Sequence, residues 1–265
     1  MTNMNQIVGK SDIIFITLDT LRYDVAQTLF EDGKLPNFSK WLPKTGWEMR
    51  HSPGSFTYAS HHAFFAGFLP TKIPNKEPRL FAAKFKGSET TKETTFVFDQ
   101  ENIVKGLESE GYKTICIGGV GFFNKQTPLS NVIPKMFQES YWETKFGVTE
   151  KKSTFYQLEK AKEILENTIE NVFLFINFSA LHQPNYYYLK EGKDKIDTLE
   201  SHAEALLYID SQLPILMQTL EKRKQSSFVI CTSDHGTTYG EDGFTGHRLA
   251  HQNVWNIPYL EKILP

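Results

Sequence analysis

Short apolar runs alternate along the chain with stretches in which apolar residues recur every three or four positions. The runs are rich in β-branched and aromatic residues, which is typical of buried strands. They predict strands at 12–18, 113–117, 172–178 and 227–231. The helical patterns between them predict helices at 101–110, 154–167 and 199–222, the last with a kink at Pro214.

Strands that alternate with helices of this length indicate right-handed βαβ crossovers. The predicted fold class is therefore α/β, with a mostly parallel central sheet and helices on both faces. The chain has 265 residues, which is at the upper end of the range for one domain. We expect a single domain over residues 1–265.

Polar residues follow the first and the last of these predicted strands. Asp19 comes directly after the first, and the sequence TSDHG at 232–236 comes after the last. Ligands of parallel sheets bind at the carboxyl ends of the strands, so Asp19, Asp234 and His235 should meet at one edge. One Asp at a strand end is usually structural, but two carboxylates and an imidazole together suit a divalent cation such as Zn or Mn.

A third segment, SFTYASHHAFFAGFLP at 55–70, places hydroxyl groups just before an apolar, helix-like run. The N-terminus of such a helix would favour an anion near Thr57, because its free N–H groups and dipole carry positive charge. Thr57 or Ser60 could equally serve as the N-cap of that helix. The segment alone leaves both interpretations open.

Composition excludes several other classes of function. The net charge of −2 gives no field that would attract nucleic acid or an anionic membrane. No stretch approaches the roughly 18 apolar residues of a membrane span, and residues 1–11 lack the apolar core of a signal peptide. Cys116 and Cys231 lie in apolar runs and suggest no disulfide framework. These features predict a cytoplasmic protein with no membrane partner.

The segments described above, in this order, resemble the motifs of the alkaline phosphatase superfamily, which includes sulfatases, phosphodiesterases and phosphoglycerol transferases. LDTLRYDVA at 18–26 resembles the first motif, whose leading Asp binds a metal. TYASHHAFFAGFLP at 57–70 resembles the nucleophile motif, and TSDHG resembles the distal Asp-His metal pair. GHRLAHQNVWNIP at 246–258 resembles the closing segment, whereas about 73–168 matches no motif of the superfamily.

The resemblance implies an alkaline-phosphatase-like sandwich with Thr57 as the catalytic nucleophile. The metal ligands that it implies are Asp19, Thr57, Asp234, His235 and His247. Candidates for a second metal or for substrate contact are His182, His251 and His61, so one or two ions are expected. On a helix, His247 and His251 would share one face, because they are four residues apart.

One departure from the superfamily pattern separates its branches. Sulfatases place Cys or Ser at the nucleophile and Pro two residues later, whereas this chain has Thr57 and Ala59. Threonine cannot form the formylglycine aldehyde that sulfatases use, so the resemblance favours the branches with a threonine nucleophile. The implied activity is metal-dependent hydrolysis or transfer of a phosphoric ester, through a covalent phospho-threonine, on a small phosphorylated substrate.

Two alternatives keep the same scaffold. The first is an enzyme with another reaction, such as hydrolysis of a phosphonate or sulfate ester, or a phosphoryl mutase. The second is a non-catalytic module that binds a metal or a phosphorylated ligand. A module without turnover has no need to keep a hydroxyl beside its metal, so the presence of Thr57 argues for an enzyme.

Overall fold

The computed structural model describes residues 2–67, 102–189 and 195–265, and the backbone of two strands at 81–85 and 95–98. The strands are β1 (Asp12–Leu18), β2 (Glu48–His51), β3 (Phe81–Phe85), β4 (Thr95–Phe98), β5 (Lys113–Ile117), β6 (Glu139–Tyr141), β7 (Val172–Phe178), β8 (Ser227–Thr232), β9 (Thr238–Tyr239), β10 (Thr245–Gly246) and β11 (Asn256–Leu264). The α-helices are α1 (Tyr23–Glu31), α2 (Phe38–Trp41), α3 (Thr57–Ala66), α4 (Ile103–Ser109), α5 (Pro128–Asn131), α6 (Ser153–Asn167), α7 (Leu199–Gln212), α8 (Pro214–Glu221) and α9 (Gln252–Trp255).

The central sheet has the strand order β2-β11-β8-β1-β7-β5-β6 in the described part of the chain. The strands from β8 to β6 in this order run parallel to one another. β11 is antiparallel to β8, and β2 is antiparallel to β11. The predicted α/β fold with a mostly parallel sheet is therefore confirmed.

Helices cover both faces of this sheet, as predicted. On one face, Ile14, Ile16 and Leu18 of β1 pack in a buried core with apolar residues of α1, α6, α7 and α8. On the other face, Ile13 of β1 and Phe175 of β7 pack with residues of α3 and α4. Because both faces are buried, the strands read as continuous apolar runs rather than as alternating patterns.

The predicted bounds of the strands and helices agree closely with the structure, except that one predicted helix is two helices. The strands at 12–18, 113–117 and 172–178 are found as predicted, and the strand at 227–231 continues to Thr232. The predicted helix at 199–222 is two helices, since α7 ends at Gln212 and α8 begins at Pro214. Proline lacks an N–H and favours the first turn of a helix, which explains the break.

The antiparallel edge formed by β2 and β11 was not predicted. All four residues of β2 are exposed, and β11 mixes apolar and charged residues, so neither strand gives the apolar signal of the inner strands. This edge lies next to β8 and brings the segment before β11 towards the carboxyl end of the sheet. Among the described helices, none has the length and apolar character needed to cross a membrane.

Candidate metal centre and nucleophile

Three loops at the carboxyl edge of the sheet bring four of the predicted site residues together. Asp19 follows β1, and Asp234 and His235 lie beyond the end of β8, which is the neighbour of β1. Thr57 is the first residue of α3. Its hydroxyl oxygen lies 3.3 Å from Asp19 Oδ2 and 3.3 Å from His235 Nε2. All four side chains are buried.

Asp234 and His235 each have one side-chain polar atom bonded to the backbone and a second polar atom that faces the site. Asp234 Oδ1 accepts the backbone N–H of Thr20 (3.2 Å) and of His235 (3.0 Å). His235 Nδ1 lies 2.8 Å from the carbonyl oxygen of Gly236. A carbonyl only accepts, so this bond forms when Nδ1 carries the proton, and Nε2 then presents a lone pair. Buried metal-binding histidines are commonly oriented in this way.

Each of the two carboxylates has one oxygen that forms no hydrogen bond with the described residues. Asp19 Oδ1 and Asp234 Oδ2 are buried and accept no hydrogen bond from the part of the chain that the structure describes. Buried polar atoms are normally paired, because desolvation without a partner is costly. Ligand atoms of Asp19, Asp234 and His235 lie within 4.8 Å of one another, as binding to one ion requires. These residues fit a divalent cation with oxygen and nitrogen ligands, such as zinc.

Burial also changes the charge state of this triad. It raises the pKa of Asp19 to about 6, and repulsion from Asp234 adds to the effect. Burial raises the pKa of Asp234 to about 7 and lowers the pKa of His235. Each shift disfavours the charged form of the group. A cation between the three residues would favour the ionised carboxylates that burial alone disfavours, since carboxylates bind metals in their deprotonated form.

The raised pKa values predict that these two carboxyls make the metal-free protein less stable as pH rises. Both carboxyls titrate near 3.8 in the unfolded chain and near 6 and 7 in the folded protein. In this range the two carboxyls bind more protons in the folded state, so their contribution to the free energy of unfolding should fall between about pH 4 and pH 7. The buried histidines have lowered pKa values and act in the opposite direction. Denaturant unfolding with a chelator and with saturating zinc therefore gives the informative difference, because histidines outside the site contribute equally to both. The stabilisation by zinc should grow from pH 4 to pH 7, and a stabilisation that does not change with pH would contradict the assignment.

Helix α3, which begins at Thr57, has no side-chain cap. The N-cap of α3 is Phe56, whose extended backbone (φ −163°, ψ 158°) brings no side-chain hydrogen bond to the first turn. The alternative in which Thr57 or Ser60 is the N-cap is therefore wrong. The Ser60 hydroxyl lies 3.3 Å from that of Ser52, whereas the Thr57 hydroxyl faces the triad. The positive end of α3 thus lies beside the same triad.

Close backbone approaches hold the loops that carry these residues. The Ser52 hydroxyl donates to the carbonyl oxygen of Asp234, which joins the loop before α3 to the loop after β8. A Cβ at Gly54 would lie 2.8 Å from the Ser60 hydroxyl, and one at Gly236 would lie 2.0 Å from the carbonyl oxygen of Asn253. Only glycine fits at these two positions, so the loops can pack against each other.

Two further predicted histidines lie beside the triad but not within it. The ring centroids of His247 and His235 are 4.6 Å apart, and those of His247 and His182 are 6.0 Å apart. Burial and the nearby His235 lower the pKa of His247 to about 3, so the ring is neutral at pH 7. His182 Nδ1 is bonded to the carbonyl oxygen of Gln183. A ligand role for His247, or a substrate contact by either ring, stays a prediction.

The fold occupies both ring nitrogens of His61. Its Nδ1 lies 2.7 Å from the carbonyl oxygen of Thr57, and its Nε2 lies 3.1 Å from the Thr17 hydroxyl. The ring is fully buried, and burial lowers its pKa to about 3. In this geometry His61 joins α3 to β1 and has no nitrogen left for a metal.

His251 is also held outside the triad. Its Nδ1 accepts the N–H of Asn253 (3.0 Å) and so caps α9, and its Nε2 lies 3.1 Å from an Asp242 oxygen. His247 and His251 do not share a helix face, because α9 begins only at Gln252. Within the described residues, the triad is the one cluster that could hold an ion through three such ligands. A second ion stays a prediction.

Asn177 is a site residue that the sequence analysis missed. It lies in β7, next to β1, and its amide donates to Asp19 Oδ2 over 3.3 Å. The signal was one polar residue near the carboxyl end of an otherwise apolar strand. A buried amide is costly unless it is hydrogen-bonded, so a polar residue at this position indicates a specific hydrogen-bond partner.

Comparisons with known proteins identify the family of this chain. The sulfatase family model matches residues 11–261. Phosphoethanolamine transferase EptA of Helicobacter pylori is 26% identical, but the aligned part covers only 36% of this chain and 22% of that protein. The chain thus spans about a fifth of that relative.

Solved structures show the same fold at low identity. The C-terminal periplasmic domain of phosphoethanolamine transferase EptC from Campylobacter jejuni has a TM-score of 0.63 and 17% identity, over 96% of this chain and 79% of that one. The corresponding EptC domain from Escherichia coli, in a complex with Zn, has a TM-score of 0.66 and 13% identity, over 96% of this chain and 73% of that one.

The family match covers nearly the whole chain and includes both strand ends that carry the triad. The fold and the order of the motifs agree with it, although residues 68–70 at the end of the nucleophile motif lie outside the described residues. The chain belongs to the sulfatase family of the alkaline phosphatase superfamily.

Proposed function

We propose that this chain is a metal-dependent enzyme that moves a phosphoester group from a donor to Thr57 and then to an acceptor alcohol. The observation that carries the proposal is the Thr57 hydroxyl, which lies 3.3 Å from Asp19 and from His235 at the N-terminus of α3. A hydroxyl with a carboxylate acceptor for its proton, beside the positive end of a helix, suits attack on an anionic phosphorus centre.

The residues of the chain divide the reaction into two steps. Thr57 Oγ1 would form a bond to phosphorus while the bond from phosphorus to the leaving-group oxygen breaks, and the Thr57 proton would pass through Asp19 Oδ2 to the leaving group. An acceptor hydroxyl would then attack phosphorus while the bond from phosphorus to Thr57 Oγ1 breaks. The acceptor would lose its proton and Thr57 Oγ1 would take one up, which restores the hydroxyl. Asp19, Asp234 and His235 would hold the divalent cation, which supplies Lewis acidity that lowers the cost of deprotonating a hydroxyl at neutral pH.

His182 and His247 would orient the transferred group. The His247 ring adjoins that of His235, and the His182 ring adjoins that of His247. The neutral ring of His247 can donate a hydrogen bond to a phosphoryl oxygen without adding a charge next to the cation.

The names of the relatives favour transfer over hydrolysis. EptA and the EptC of Campylobacter jejuni are named phosphoethanolamine transferases, so phosphoethanolamine is the first group to test on this chain. In this proposal, hydrolysis is the same reaction with water as the acceptor, and an alcohol competes with it for the phospho-threonine.

The experiment compares donors and acceptors with the zinc-loaded protein. p-Nitrophenyl phosphoethanolamine should release p-nitrophenol, and intact-mass analysis should detect a phosphoethanolamine adduct on Thr57. An added alcohol should divert the product from free phosphoethanolamine to the alcohol ester. Bis-p-nitrophenyl phosphate, p-nitrophenyl phosphate, a phosphonate ester and p-nitrophenyl sulfate serve as comparison substrates. Turnover of the sulfate alone, or tight zinc binding without turnover of any ester, would overturn the proposal.

A further inference from the structure

The Asn177 side chain is fully buried and uses both ends of its amide. Its Oδ1 accepts the backbone N–H of Val120 over 3.1 Å. Its Nδ2 donates to the Thr17 hydroxyl oxygen (3.1 Å) and to Asp19 Oδ2 (3.3 Å). A backbone N–H can only donate, so the oxygen must face Val120 and the NH₂ group must face Asp19. The orientation of the amide is thus fixed by its partners.

This orientation determines which oxygen of Asp19 is available. Asp19 Oδ2 accepts hydrogen bonds from Asn177 and from Thr57, whereas Oδ1 has no partner in the described part of the chain. We propose that Asn177 is a positioning residue that holds Asp19 so that Oδ1 faces the divalent cation and Oδ2 faces the nucleophile. The inference deepens the proposed function and rests on the cation that the function requires.

The same amide is connected to the nucleophile through a second path. Thr17 and Asn177 are directly paired between β1 and β7. Because the Thr17 oxygen accepts from Asn177, its hydrogen is free to go to His61 Nε2, 3.1 Å away. His61 Nδ1 then donates to the carbonyl oxygen of Thr57 over 2.7 Å.

Every donor and acceptor in this chain of bonds is consistent, from the N–H of Val120 to the first turn of α3. Asn177 therefore orients the Asp19 carboxylate directly and the backbone of Thr57 indirectly. Partners that orient metal ligands in this way contribute substantially to metal affinity.

The test replaces Asn177 by leucine, which has a similar volume and no donor. The dissociation constant for zinc is measured on the full chain by competition with a chromogenic chelator. The affinity should fall about 10- to 100-fold, as is typical when a partner of a metal ligand is lost. If the leucine variant does not fold, Asn177→Thr is used, because a β-branched residue suits a strand, and weaker zinc binding is again expected.

Gln157→Leu is the matched control. The Gln157 amide is also buried, but its Nε2 donates to the main-chain carbonyls of Asn177 (2.7 Å) and Gly118 (3.4 Å) rather than to a side chain of the site. This variant should lose stability in the metal-free state and keep the wild-type zinc affinity.

A double-mutant cycle separates positioning from general damage to the fold. In an Asp19→Ala background, Asn177→Leu should cause no further loss of zinc affinity, because the carboxylate on which it acts is gone. The inference is overturned if a folded Asn177 variant binds zinc as tightly as the wild type, or if its loss is equally large without Asp19. The readout is zinc affinity, so this failure is distinct from an absence of turnover, which concerns the proposed function.

Discussion

Replacing Thr57 by alanine should lower kcat by about 10⁴-fold or more, because loss of a nucleophile removes the covalent path altogether. The fold should be unaffected, since the hydroxyl does not cap α3 and its hydrogen bond goes to Asp19. Turnover of the phosphoethanolamine donor measures kcat, intact mass measures the covalent adduct, and the melting temperature measures the stability of the fold. The adduct should be absent from the variant.

Two neighbouring substitutions make this result specific. Thr57→Ser keeps a hydroxyl at the same backbone position and should retain measurable turnover and the adduct. Ser60→Ala removes a hydroxyl one helical turn away that lies near Ser52 rather than the triad, so its kcat should stay near the wild-type value. Wild-type turnover by Thr57→Ala would mean that the attacking oxygen does not belong to Thr57.

Replacing Asp234 by asparagine should have opposite effects on the metal-free and the zinc-loaded protein. The amide oxygen can still accept the two backbone N–H groups at Oδ1, so the loop after β8 is retained. Above pH 7 the metal-free variant should melt a few degrees higher than the metal-free wild type. The wild type must bury an ionised carboxylate at that pH, because the pKa of Asp234 is about 7, whereas the asparagine is neutral. Zinc affinity should fall by at least about 100-fold, since even outer partners of ligands contribute 10- to 100-fold.

A buried aspartate elsewhere provides the control for this variant. Asp210 accepts the backbone N–H groups of Asn37 and Phe38 far from the triad, and burial raises its pKa as well. Asp210→Asn should therefore change stability equally with and without zinc and leave the zinc affinity unchanged. If Asp234→Asn instead lowers the metal-free melting temperature and binds zinc normally, Asp234 has only a structural role.

The sequence was sufficient to place the triad because its members follow strands with strong apolar signals. Parallel strands end at one edge of the sheet, so Asp19 and Asp234 could be brought together without knowledge of the loops between them. Asp19 and Asp234 are also adjacent across the sheet, because β8 pairs directly with β1. No local pattern specifies that order, and the superfamily resemblance supplied the role of Thr57.

The supporting contacts could not be predicted, because they depend on strand register. Whether Asn177 faces Thr17 and Asp19 is decided by the pairing of β7 with β1, which periodicity within one strand does not reveal. The same holds for His61, which by its position next to the nucleophile suggested a substrate contact. Its hydrogen bond to Thr17 is a contact between distant parts of the chain.

The adjacency of β1 and β8 determines when in folding the site can form. Residues 19–226 lie between the two strands, so a long loop must close before their carboxyl ends meet. Closing so long a loop is slow and gains few contacts before it is complete. A bound ion would therefore contribute little to the rate of folding and would act mainly by slowing unfolding, so that metal supply would govern the lifetime of the native protein rather than its formation.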